Sequence, residues 1–176
     1  MKPALVCSGI GVIVLFLLFH HPPAPSAASA PIPYAVKGDK LGMPLAEFEQ
    51  AHPKACLNRD KTTRDILCID DITYAGTQAR ELAMFFDQHL YSISLSFDQM
   101  DSSQVFTGLK EKYGQPTVDH IEGDTTYIWR NGISSIMFST NDKPSSTHVD
   151  FTLDELLKKS LAEQERVRAA ARKSDM

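Results

Sequence analysis

Between Leu90 and Phe97 the chain alternates, with Tyr91, Ile93, Leu95 and Phe97 on one side and Ser92, Ser94 and Ser96 on the other. A period of two predicts a strand with one buried face. The stretch Ala83 to Phe86 supplies a second strand, and Asp87-Gln88-His89 turns the chain between them into an antiparallel hairpin. A second hairpin is expected where Tyr127 to Arg130 and Ile133 to Ser139 flank Asn131-Gly132, the residue pair suited to a tight type I′ turn. Ile66 to Ile69 reads as a further strand, as does the alternation of Val149, Phe151 and Leu153 with Asp150 and Thr152.

A spacing of three and four marks the helices. Leu45, Phe48 and Ala51 or His52 share one face of a short helix that Pro44 opens and Pro53 stops. Val105, Phe106, Leu109 and Tyr113 share the face of another, capped by Ser102 or Ser103 and ended by Gly114 and Pro116. Asp154 caps a last helix whose apolar stripe fades beyond Leu161 into charge. The two halves follow one plan, a helix with a proline stop followed by strands. They predict an α+β fold built from a degenerate α-β-β-β repeat: an antiparallel sheet of about six strands with two short helices on one face, plus a C-terminal helix. The domain is expected over residues 34–153 and the charged helix over 154–176.

Over residues 38–153 this element order, with Leu41-Gly42-Met43 before the first helix and Tyr113-Gly114-Gln115-Pro116 after the second, resembles two groups of helix-plus-three-strand modules. These are the modules of the beta-lactamase inhibitor protein and of the small lipoproteins of the outer-membrane barrel assembly machine. The chain also resembles bacterial envelope proteins of unknown function that open with a Leu-Gly-Met segment. No binding residue of those families falls on a matching motif, and the lipid-attachment cysteine of the assembly lipoproteins has no counterpart.

Residues 1–30 change the picture of where the domain works. Lys2 precedes an uncharged run from Ala4 to Phe19, then His20-His21-Pro22-Pro23, which is the layout of an export signal or an N-terminal membrane anchor. Small residues at Ser26-Ala27-Ala28 favour cleavage near Ala28, giving a periplasmic or secreted protein; the alternative is an inner-membrane anchor through residues 4–19. A Pro, Ala and Ser tether runs on to about residue 33. Cys7 sits too early in the leader to carry a lipid. Of 18 Lys and Arg only Lys2 lies in the leader, so 22 Asp and Glu leave the remainder at net −5 with no basic stripe. That excludes nucleic acid as a partner.

Candidate chemistry is sparse. His148 and Asp150, two apart on a strand, project from one face and are the candidate metal or ligand pair, against the plainer reading of a polar strand surface. Tyr127 and Trp129 are the candidate interface residues, against the alternative that they fill the core. Asp70-Asp71 and Asp119-His120 raise the metal question more weakly. His52 reads as a helix-end residue and His89 as a turn residue, with nothing linking them. No Gly-x-Ser-x-Gly, Ser-x-x-Lys, His-Glu-x-x-His or phosphate loop is present, so no catalytic residue, cofactor or metal is expected. The reading is a non-catalytic binding or adaptor domain of the cell envelope whose partner is another envelope protein; a periplasmic small-ligand or metal-binding protein is the alternative and a hydrolase the third.

Cys56 and Cys68 are the two cysteines beyond the leader and are expected to form one disulfide. Closing so short a loop stabilises the fold by about 3 kcal/mol in the chain-entropy model. Unfolding in denaturant with and without reductant should show a loss of about that size; an unchanged midpoint would remove the disulfide from the account.

Overall fold

A computed structural model describes residues 31–56, 64–97, 102–121, 124–140 and 147–174. The leader, on which the export reading rests, lies outside the described residues. A hairpin of β1 (Ala35–Val36) and β2 (Asp39–Lys40) leads to α1 (Leu45–Ala51), then β3 (Asp65–Tyr74), β4 (Thr77–Phe86) and β5 (His89–Phe97). After α2 (Ser102–Tyr113) come β6 (Thr117–Ile121), β7 (Asp124–Arg130), β8 (Ser134–Thr140), β9 (Thr147–Leu153) and α3 (Asp154–Ser174). The main sheet has seven antiparallel strands in the order β3-β4-β5-β9-β8-β7-β6.

The element order of the first half recurs in the second, but the two meanders are laid down from opposite edges and converge on β9. The core fills one face of this sheet. Ile66, Cys68, Ile72, Ala83, Phe85, Ile93, Leu95, Ile136, Phe138, Val149 and Phe151 point to it and meet Leu45 and Phe48 of α1 and Val105 and Leu109 of α2. α3 crosses the opposite face, where Ser160 donates to Asp65 Oδ1 at 2.9 Å and the Tyr91 hydroxyl donates to Met84 Sδ at 3.7 Å. Residues Glu165 to Arg172 of α3 are exposed, as the fading stripe predicts.

Four local expectations are corrected. The seventh strand, β6, escapes sequence reading because Thr117 to His120 are polar or exposed along an edge with no alternation to show. The register of β4 on β5 slips at Met84/Phe85, so Leu90 takes the core position and Tyr91 turns to the α3 side. Asn131-Gly132 does not form a type I′ turn: only Gly132 has a positive φ (92°), and Asn131 Oδ1 instead accepts from the backbone N–H of Ser134 at 2.9 Å. That turn geometry, positive φ at both central residues, appears at Asp87-Gln88 and Ala75-Gly76. Finally, α2 already contains Ser102 and Ser103, so its cap lies outside the described residues.

The Leu-Gly-Met segment acts as a rail. Gly42 N–H donates to Leu90 C=O at 2.7 Å, Leu90 N–H to Met43 C=O at 2.9 Å, and Leu45 N–H to Gln88 C=O at 2.8 Å. These bonds fasten the start of α1 to the β4–β5 turn while Leu41 and Met43 enter the core. Gly42 holds φ +91°, and a Cβ there would meet nothing nearer than Leu153 Cδ2 at 3.6 Å. The cost of Gly42→Ala is therefore a backbone cost, about 1–2 kcal/mol. Equilibrium unfolding of the variant should show that loss with an unchanged m-value; a neutral substitution would contradict the left-handed assignment.

Candidate functional site

The polar centre of the fold lies where α1 ends above β3 and β4. His52 caps α1, its backbone N–H donating to Phe48 C=O, and its ring stacks on Phe48 with centroids 4.3 Å apart. Ile69 N–H donates to Ala55 C=O at 2.9 Å, and the Cys56–Cys68 disulfide, spanning 12 positions, ties the following segment to the same strand. The imidazole is thereby held between two carboxylates. Nδ1 is 2.9 Å from Asp70 Oδ2 on β3, and Nε2 is 3.0 Å from Asp39 Oδ2 on β2. Asp70 stands directly across from Glu81 of β4.

Glu81 is 1% exposed, and neither of its carboxylate oxygens has a hydrogen-bond partner among the described residues. It forms part of the floor of an open cavity of about 400 Å³, with Asp39, Met43 and Ile72. Lys37, Gly38, Glu47 and Ala51 form the exposed rim, and His52 the wall between. Glu81 lies on the buried face because the alternation Thr77, Ala79, Glu81, Ala83, Phe85 is that of one strand with its small and apolar residues inward.

Burial dominates the electrostatics. It raises the Glu81 carboxyl from 4.5 to about 7, helped by the charge of Asp39 and opposed by that of His52. Burial also raises Asp39, against the charge and hydrogen bond of His52. For His52 burial pulls the other way, yet the hydrogen bond to Asp70 and the charge of Asp39 outweigh it, and the net shift is upward. Both ring nitrogens are thus engaged by carboxylate oxygens, an arrangement that favours the protonated ring. With each nitrogen already paired to a carboxylate, it is set up neither as a general base nor as a metal ligand. Among the described residues no three His, Cys, Asp or Glu side chains are placed to hold a metal ion.

The residues singled out from sequence lie elsewhere. His148 and Asp150 do share one face of β9, the side opposite the core, and His148 Nδ1 is 3.2 Å from Ser96 Oγ across the strands. Trp129 is 3% exposed and donates its indole N–H to Gly114 C=O at 2.8 Å, so it offers no surface to a partner. Tyr127 is half-buried against Phe106, at a ring distance of 4.5 Å. Asp119 and His120 are exposed on β6. His52, set aside as an isolated helix end, is the residue that links the cluster. Asp39 and Glu81 went unnoticed. Reading the β4 alternation back from Phe85 would have put Glu81 on an otherwise apolar face; nothing in the sequence marks Asp39.

Fold and site together define a disulfide-bonded α+β domain with a seven-stranded antiparallel sheet and an acidic pocket beside its first helix. The chain belongs to a family described as "Uncharacterised protein", whose model matches residues 37–162. No curated protein matches it. Among solved structures it is similar to a DUF4309 family protein (YjgB) from Bacillus subtilis, at 13% identity and a TM-score of 0.44, over 70% of this chain and 87% of that one. The likeness to the beta-lactamase inhibitor protein and the assembly lipoproteins is carried by none of these matches.

A carboxyl raised in the folded state stabilises the fold while it is protonated. Its contribution is complete below the unfolded value of 4.5 and is lost as pH rises through about 7. The difference is on the order of 3 kcal/mol. Glu81→Gln should therefore be less sensitive to pH than the parent between pH 5 and 8, and the more stable of the two at pH 8, by denaturant midpoints across that range. A parallel pH dependence in both proteins would show that Glu81 does not titrate there.

Proposed function

We propose that the protein is an extracytoplasmic, non-catalytic binding domain that holds a small ligand in the pocket beside α1. The carrying observation is Glu81: a fully buried carboxyl with no hydrogen-bond partner among the described residues, on the floor of a cavity open at its rim. A fold loses free energy by leaving such a group unsatisfied, and a polar ligand supplies what the protein does not. A volume of about 400 Å³ is within the range of small-molecule sites. Against catalysis stand the double engagement of His52 and a lining that carries no Ser, Thr or Cys. The signal-like leader and the disulfide both favour an oxidising compartment outside the cytoplasm.

A second reading, binding of another envelope protein, rests on the element order shared with the modules named above and on one surface feature. Leu67 and Ile69, each 49% exposed, stand on one side of the edge strand β3. Edge strands with apolar side chains are natural docking elements for a partner.

Native mass spectrometry of the protein purified from envelope extract separates the two. The expected result is an added small-molecule mass that disappears in Ile72→Trp, which fills the pocket. A clean apo mass accompanied by a protein partner that Leu67→Ser and Ile69→Ser together release would overturn the pocket reading in favour of the second.

A further inference from the structure

Resting on the pocket reading, we propose that the ligand is a primary alkylamine, its ammonium group received by Glu81 and its carbon chain lying against Met43 and Ile72. The chemistry of the lining selects this class. The floor carries acceptors without matching donors: among the described residues both Glu81 oxygens are unpartnered, His52 is engaged by Asp39 and Asp70, and Lys37 stands on the exposed rim. An ammonium brings three N–H donors and a positive charge and needs no acceptor in return. A carboxylate or phosphate would meet Asp39, Glu47 and Glu81 with only the rim Lys37 and the engaged His52 to offset them. A metal ion would need several converging ligands, which the described residues do not provide. Met43, Ala51 and Ile72 give the rest of the pocket an apolar wall that suits a short carbon chain and not a second charge.

Binding would be linked to protons. The charged groups around Glu81 are Lys37 and Asp39 from the β1–β2 hairpin, Glu47 and His52 from α1 and Asp70 from β3, while its partner on β5 is the uncharged Leu95. An alkylamine, with a pKa near that of lysine, about 10, is protonated throughout the range from pH 6 to 8. Glu81, raised to about 7, is mostly neutral at the lower end and mostly ionised at the upper. Affinity for the amine is expected to be roughly tenfold higher at pH 8 than at pH 6, the ratio of the ionised fractions of a group titrating at 7.

The test is an NMR titration of the exported protein with n-butylamine, n-butanol and butyrate as cationic, neutral and anionic isosteres, following the amides of Gly38, Ile72 and Glu81 at pH 6 and pH 8. Saturable shifts with n-butylamine alone, about tenfold tighter at pH 8, are expected; the pH comparison uses the unaltered chain and needs no variant to fold. Glu81→Gln should lose the amine response while keeping the dispersed spectrum of a folded protein. Binding of n-butanol or butyrate as tight as that of n-butylamine would overturn the amine assignment and leave a binding pocket. Absence of a saturable shift with all three would also overturn it, and the small-molecule mass sought in envelope extract then decides the binding reading separately.

Discussion

The pairing of β9 with both β5 and β8 makes one molecule of two meanders. Without it, β3-β4-β5 and β8-β7-β6 would each be a three-stranded sheet with one short helix and two open edges. β9 is antiparallel to both neighbours along its length and sends Val149 and Phe151, both fully buried, into the core cluster that α1 and α2 share. The last strand in sequence thus occupies the centre of the sheet. Contacts of such large sequence separation add a loop-closure cost that slows folding.

The acidic pocket depends on that completed sheet. Glu81 sits between Asp70 on one side and Leu95 on the other, on a strand that cannot rotate its carboxyl away without shifting a whole register. Like charges directly opposite on a sheet are unfavourable. His52 relieves part of the repulsion by bonding Asp70 through one ring nitrogen, and it draws in Asp39 from the terminal hairpin on the other. That arrangement leaves Glu81 itself unserved. Thr147 Oγ1 is also buried without a partner among the described residues, but Glu81 is the unsatisfied group that lines a cavity, and that pairing has the character of a site and not of a packing fault.

Three tethers, each from a different level of structure, hold α1 in the position this requires. The Leu-Gly-Met rail pairs with the backbone at Leu90, the chain beyond His52 pairs with β3 at Ile69, and the disulfide closes the same loop covalently. A seven-residue helix has too few internal bonds to persist by itself. Its placement comes from these tethers and from Leu45 and Phe48 in the core.

Much of the fold was legible along the chain because alternation and helical spacing are local consequences of burying one face. The strands around Ile93, Ile136 and Phe151 and the helices at Phe48 and Leu109 could all be found that way, and the disulfide followed from the two cysteines beyond the leader. Where the pattern gave out, the reason was also physical: β6 is a polar edge, the bulge at Tyr91 depends on its partner strand, and Asn131 bonds its own loop instead of adopting a positive φ. The candidate site was hardly legible. Asp39, His52, Asp70 and Glu81 are separated by up to 42 positions, and no spacing rule joins a hairpin, a helix end and two strands. The sequence by itself determined which residues must be buried and the α+β class that follows. Only the tertiary structure decided which carboxylate would be buried without a partner, because that depends on what surrounds Glu81 across strands and not on what precedes or follows it.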